Sequence, residues 1–311
     1  TLMTRPLWSV ILAGGAGRRL FAVTNGIPKQ FWRLEGQPSL LEETVARLAP
    51  LGALRTCLVV DRSHEPYLRE ARCGSAEVLY QPADRGTGAG LLFGLTPVLA
   101  AAPDAPVIVT PADHGVRQTW RFRDSVMAAA AAAERRRVEV VIFGVAPTEP
   151  CPDYGWILRG ERMGRRATLQ PVTGFVEKPS AEYADQLFRA GAVWNTMVVV
   201  ARASALAALF ETHAPALAGL FAEYRRWPHA DRDARLAERY VDLAPVDFSR
   251  DILAPARGLA VAIWPASIGW ADLGTPDRLR HWWDRTPASR RTAGDAHPPA
   301  APVPLHAAPR T

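Results

Sequence analysis

Residues 8–20 read Trp8-Ser9-Val10-Ile11-Leu12-Ala13-Gly14-Gly15-Ala16-Gly17-Arg18-Arg19-Leu20, and their order decides the fold. The first six form a short apolar run cut off by two glycines, the pattern of a strand buried on both faces. A glycine-rich turn directly after such a strand is where an open α/β sheet turns backbone N–H groups toward an anion. Glycine permits the close approach and the positive φ that this needs. Two phosphate-binding turns are excluded by spacing. The third glycine of a G-x-G-x-x-G dinucleotide turn would fall on Leu20, and no Gly-Lys-Ser/Thr follows as in a P-loop. The glycines taken alone also fit a plain turn.

Outward from this segment, strands and helices alternate. Apolar runs at 56–60, 77–80, 106–110 and 138–144 read as strands, and segments 40–48, 88–102 and 120–136 read as helices. Alternation of this kind predicts an α/β fold: a Rossmann-like, mostly parallel twisted sheet flanked by helices. The second half is less regular, with strands expected at 173–177, 194–200 and 259–264 and helices at 182–190, 203–210 and 276–283. No fixed-period repeat is present. One domain is expected over 1–285, in two halves of about 7–145 and 146–285. Residues 286–311, rich in Pro, Ala and Arg, are expected to be a disordered tail.

The composition is 48% hydrophobic and 22% charged, with no apolar run of membrane-spanning length and no signal-peptide pattern in residues 1–8. Cys57, Cys73 and Cys151 are odd in number and lack metal-like pairing, so a reducing, cytoplasmic setting is expected. The net charge of +6 is scattered, and Arg135-Arg136-Arg137 closes a helix. No nucleic-acid or membrane partner is therefore expected, and a homo-oligomer is left open. Of 37 basic residues only Lys29 and Lys178 are lysine. In a chain that uses Arg so freely, these two are candidates for work that needs a compact ammonium, with chance survival as the alternative.

Lys29 lies in Pro28-Lys29-Gln30-Phe31, shortly after Arg19. The span 12–41 resembles the signature of the sugar-phosphate nucleotidyltransferase family, L-A-G-G-x-G-x-R-L followed by P-K. The form P-K-Q-F, with Ser39-Leu40-Leu41 behind it, is similar to the mannose-1-phosphate guanylyltransferase branch. Further landmarks follow in family order: Gln81-Pro82 and Arg85-Gly86-Thr87-Gly88-Ala89 as the base-binding turn, Pro111-Ala112-Asp113-His114, Pro147-Thr148 with Tyr154-Gly155-Trp156, Phe175-Val176-Glu177-Lys178-Pro179, Trp194-Asn195, and Gly269-Trp270-Ala271-Asp272-Leu273-Gly274. Gly86 replaces the asparagine of R-N-T-A-P. The family's W-N-S-G-M-F reads Trp194-Asn195-Thr196-Met197-Val198, without its glycine, which bears on the shape of the sugar pocket. The resemblance covers roughly 7–285, and no fused isomerase or β-helix domain is expected.

The resemblance implies a nucleotide-binding half made by Leu12, Ala13, Gly14, Gly15, Gly17, Gln81, Arg85, Thr87 and Gly88. It implies catalytic roles for Arg19, Lys29 and Lys178, and sugar-phosphate binding by Gly155, Glu177, Lys178 and Asn195. Asp113 and Asp272 would hold Mg2+. The implied reaction joins GTP, or another nucleoside triphosphate, to a sugar 1-phosphate; with mannose 1-phosphate it gives GDP-mannose and pyrophosphate. A phosphate nucleophile is already ionised, so no general base is required, and no Ser-His-Asp or Cys-His set is found. Singly, each residue has a plainer reading: Asp113 and Asp272 as helix caps, Glu177-Lys178 as a surface ion pair, Asn195 as a turn cap, His114 as a structural neighbour. The ordered set of landmarks, holding both lysines, favours the family. Alternatives are a dTTP- or UTP-dependent glucose-1-phosphate enzyme and a silent nucleotide-sugar-binding regulator.

Overall fold

The run that opens the chain forms β1 (Trp8–Ala13), and it is flanked in parallel by β2 (Arg55–Asp61) and β4 (Pro106–Pro111), with β3 (Glu77–Gln81) outside β2. The computed structural model describes residues 5–33, 36–162 and 168–284; the expected tail at 286–311 lies outside them. Parallel neighbours need crossovers. Here these are α1 (Phe21–Thr24), α2 (Leu40–Leu48), α3 (Glu65–Leu68) and α4 (Gly86–Ala101). Helix α2 starts where Ser39 and Glu42 form a reciprocal capping box. Helix α4 is apolar on all sides, as a helix enclosed by protein is. It carries Pro97, and the Phe93 carbonyl that Pro97 cannot serve accepts the Thr96 hydroxyl at 2.7 Å.

The chain continues through β5 (His114–Gly115), α5 (Thr119–Glu134), β6 (Val140–Val145), β7 (Trp156–Arg159), β8 (Leu169–Val176), α6 (Ala181–Arg189) and β9 (Val193–Arg202). It then forms α7 (Ala203–His213), α8 (Pro215–Tyr224), α9 (Arg232–Tyr240), β10 (Ala260–Trp264), β11 (Ala271–Asp272) and α10 (Pro276–Asp284). The main sheet runs β3-β2-β1-β4-β9-β6-β10-β8-β7.

This sheet is mixed, which corrects the expectation of a mostly parallel one. β9 runs antiparallel to both β4 and β6, β8 is antiparallel to β10, and β7 is antiparallel to β8 and β9. The reason is physical. Nine of the ten residues of β9 are buried, so it lacks the in–out alternation that marks an antiparallel strand with one wet face. β7, only four residues long, shows no period at all.

Alternate residues of each strand feed opposite faces of the sheet. Val10, Val59 and Val107 pack with α4, α7 and α8, whereas Ile11, Leu58 and Ile108 pack with α2 and α5. Fully burying each such side chain contributes about 1.5–3 kcal/mol. A third cluster joins Leu20, just past the glycine-rich turn, to Leu273, Leu279 and Trp282 at the C-terminal end of the fold. Among the described residues no helix is long and apolar enough to cross a membrane.

Candidate active site

The glycine-rich turn leaves the C-terminal end of β1 and is held from below by the segment 28–31. Gln30 Nε2 donates to the Ala13 and Gly15 carbonyls at 2.8 and 2.9 Å. Leu12 O accepts the Ala112 N–H at 2.9 Å, tying the turn to the end of β4. Two of the glycines are closely surrounded here. A Cβ on Gly14 would stand 2.4 Å from Gln81 Nε2, and Gly17 has φ +62° with the Lys29 backbone nitrogen 3.3 Å from where its Cβ would be. Arg18 and Arg19 stay exposed beside the turn. A cavity of about 570 Å³ opens between Gly14 to Arg18, Asp61 with His64, and Pro82 with Asp84.

The base turn divides. Gln81 is buried beneath the glycines. Arg85 instead donates to the Tyr240 and Val241 carbonyls at 3.1 and 2.6 Å, so its guanidinium is engaged at the end of α9. Gly88 N–H donates to Val246 O at 2.8 Å, and the Thr87 hydroxyl accepts the Phe248 N–H at 2.9 Å. This clamps residues 86–88 to the segment 246–248, and Thr87 faces a second cavity.

Two very short strands assemble the centre. β5 and β11 pair antiparallel with Asp272 opposite His114, which carries Asp113 and Asp272 to the same point. Lys29 lies between them: its Nζ is 2.8 Å from Asp113 Oδ2 and 3.5 Å from Asp272 Oδ1. The lysine side chain is only 11% exposed. Burial works against the Lys29 charge, but the two carboxylates outweigh it and hold its pKa above the ordinary value. Burial likewise works against the Asp113 charge, and the Lys29 ammonium 2.8 Å away turns the balance, leaving that carboxyl below the usual range. His114 Nε2 is 3.8 and 3.7 Å from the two aspartates. Burial keeps its pKa below the ordinary imidazole value despite them, and the Lys29 ammonium is the cation nearest to Asp113. The residues expected on magnesium and one expected on the triphosphate are therefore a single group.

The second cavity, about 190 Å³, is lined by Arg19, Gly155, Glu177, Lys178, Asn195 and Asp272, among others. Strand pairing explains the convergence. Trp156 has Val176 as its partner on one side and Trp194 on the other, so the preceding Gly155 lies between Glu177 and Asn195. A Cβ there would meet Glu177 Oε2 at 2.6 Å and Asn195 Cβ at 3.3 Å. Burial, reinforced by Asp247, raises the Glu177 carboxyl above its usual range. Lys178 is at the rim: its side chain is 63% exposed, it sits 3.8 Å from Glu177, and its φ is +45°. A non-glycine residue at positive φ is uncommon and recurs at functional sites.

Sequence reasoning missed Arg278. Its guanidinium lies 4.5 Å over the Tyr154 ring, donates to Asp153 at 3.3 Å and borders the cavity. Tyr154 in turn packs edge-on against Trp194 and Trp270. In so arginine-rich a chain no composition signal singles out Arg278, and its role is visible only once α10 is seen against residues 153–154. Gln30, quoted as part of a signature, acts as the prop of the turn.

Residues 8–286 match the family model described as Nucleotidyl transferase. The chain is 31% identical over 275 residues to the xanthan biosynthesis protein XanB of Xanthomonas campestris pv. campestris, covering 86% of this chain and 57% of that protein. It is 29% identical over 283 residues to a mannose-1-phosphate guanylyltransferase of Sinorhizobium fredii, covering 86% and 53%. The chain thus spans little more than half the length of these relatives. A crystal structure described as a mannose-1-phosphate geranyltransferase from Thermus thermophilus superposes with a TM-score of 0.78 at 30% identity, over 90% of this chain and 80% of that one.

Proposed function

The chain belongs to the nucleotidyl transferase family, and on that premise we propose that it transfers GMP from GTP to mannose 1-phosphate with release of pyrophosphate. The observation that carries the reading is the Lys29–Asp113–Asp272 cluster, where Asp272 and the neighbouring Arg19 border the cavity that Glu177 and Asn195 line. The C-terminal ends of parallel strands are where open α/β sheets bind ligands.

In this reading the N–H groups of residues 14–17 and the Arg19 guanidinium hold the triphosphate, and Lys29 neutralises charge at the reacting phosphate. Lys178 holds the phosphate of the sugar, and Glu177 accepts hydrogen bonds from its hydroxyls. The attacking phosphate oxygen is ionised at neutral pH, so in-line attack on the α-phosphorus needs positioning and charge neutralisation rather than a base. The preference for guanine is supported by the Asp61 and Asp84 carboxylates at the larger cavity. Guanine offers two adjacent kinds of N–H donor to such acceptors, where thymine and uracil offer one.

The donor set also fits magnesium. Asp113 and Asp272 already share one cation, the Lys29 ammonium, and their oxygens are the hard ligands the ion takes. Magnesium takes one or two carboxylates and completes its shell from phosphate oxygens and water. When bound, magnesium would offset the negative charge on the phosphate oxygens.

The test is pyrophosphate release from five nucleoside triphosphates against a set of sugar 1-phosphates. GTP with mannose 1-phosphate should be fastest. A clear preference for dTTP with glucose 1-phosphate would overturn the specificity, and no release from any pair would overturn the reaction.

A further inference from the structure

One wall of the smaller cavity is built differently from the rest. Between Ile142 and Gly144 the β6–β9 ladder slips: Ile142 pairs with Val199 but Gly144 pairs with Asn195. Residues 196–198 therefore bulge opposite a single residue. The Thr196 hydroxyl, donating to Phe143 O at 2.6 Å, fixes the bulge. At its apex Met197 has φ +59°, a conformation that glycine adopts freely and a methionine pays to hold. The side chain so placed is half-buried and faces the cavity.

Around it the polar groups are already engaged with one another. Asn195 Oδ1 accepts the Met197 N–H at 3.1 Å, and Asn195 Nδ2 donates to the Ser249 hydroxyl at 3.1 Å. That hydroxyl donates in turn to the Met197 sulfur at 2.9 Å. Asn195 and Ser249 are both buried. A sugar hydroxyl turned toward this wall would leave water for a thioether and for groups bonded elsewhere, and an unpaired polar group is costly to bury. Glu177, which lines the same cavity, presents its carboxyl group to hydroxyls and has the Lys178 ammonium 3.8 Å away.

We propose that Met197 is a specificity-determining residue: the sugar 1-phosphate presents a C–H edge to it, and epimers that place a hydroxyl on that edge are rejected. This rests on the proposed reaction and narrows its substrate class. Asn195 then acts mainly as a positioning residue for the Met197 bulge.

The test uses the triphosphate that the full chain turns over fastest, with a panel of epimeric and deoxy hexose 1-phosphates, in wild type, Met197→Gly and Met197→Ala. Glycine suits the left-handed bulge, so the first variant is expected to fold; alanine keeps a Cβ but removes the thioether. Both should narrow the ratio of kcat/KM between the best and the rejected epimers by about 10- to 100-fold, the size of discrimination an apolar wall gives against a hydroxyl. The change should come from lower KM for the rejected sugars. Unchanged ratios in both variants would overturn the inference while leaving the reaction intact. A shift in Met197→Gly alone would also overturn it, assigning specificity to the bulge backbone. No turnover of any pair, by contrast, would remove the reaction and the inference together.

Discussion

The two lysines stand in opposite surroundings, although the chain spares only these two. Lys29 is enclosed: its side chain is 11% exposed and lies between two carboxylates brought together from distant parts of the sequence. Lys178 is 63% exposed, with the Glu177 carboxylate 3.8 Å away, on a backbone held at φ +45°. The buried ammonium is part of the architecture as well as the proposed chemistry, because without it two negative groups would face each other with little water between them. The exposed one is strained in place yet carries almost no packing. Position, more than residue type, decides whether a charge supports the fold, the reaction or both.

That contrast sets the order of the expected effects. Lys29→Met should be the most damaging change. Removing one partner of a buried ion pair costs about 3–5 kcal/mol, and with the aspartates a quarter exposed the lower end, about 3 kcal/mol, is expected in chemical denaturation. Turnover should fall with it, chiefly on the triphosphate side. A variant as stable as wild type would show that the cluster is held by something other than Lys29.

Lys178→Gln should leave stability almost unchanged, as exposed pairs contribute about 0–1 kcal/mol, yet raise KM for the sugar 1-phosphate. Loss of a charge-assisted contact of about 1.5–3 kcal/mol corresponds to one to two powers of ten. A defect confined to the nucleotide KM would place Lys178 on the wrong substrate. Lys→Arg at both positions sharpens the comparison: poor rescue is expected where a compact ammonium is needed, and full activity in both would show that the lysines survived by chance. Arg278→Gln should have the smallest effect. It removes a cation that already has Asp153 and the Tyr154 ring as partners, so the KM for the sugar phosphate should rise by less than about tenfold. A larger rise would make Arg278 a direct phosphate ligand.

The first half of the fold was legible because its strands obey the parallel rule: short, apolar on both faces, each followed by a helix. The segment 88–102 was read as a helix despite its proline, and α4 spans Gly86–Ala101. Strand direction in the second half was not legible, since β9 is buried on both faces in an antiparallel setting. Helices α8 and α9, at Pro215–Tyr224 and Arg232–Tyr240, were not read, although Leu236 and Tyr240 give the latter an apolar stripe. In the site, the glycine-rich turn could be located from its position directly after β1, although its glycines alone also fit a plain turn. The meeting of Asp113 with Asp272 could not, because it depends on β5 and β11, two residues each, which are too short to carry a period. Arg85 shows the reverse limit. Its motif pointed to the nucleotide, whereas its guanidinium is turned to the end of α9 by two carbonyls that no local pattern announces.

The most direct test of the account is magnesium-dependent pyrophosphate release from GTP and mannose 1-phosphate by the wild-type chain and by Asp272→Asn, with thermal melting of both. The substitution keeps the shape of the side chain and removes the charge that faces Lys29 and the cavity. The account predicts release in step with sugar-nucleotide formation in the wild type, and a loss of about a hundredfold or more in the variant, because one of the two carboxylates that would hold the charge-neutralising magnesium is gone, at an unfolding temperature close to that of wild type. An Asp272→Asn protein that turns over at the wild-type rate would contradict it.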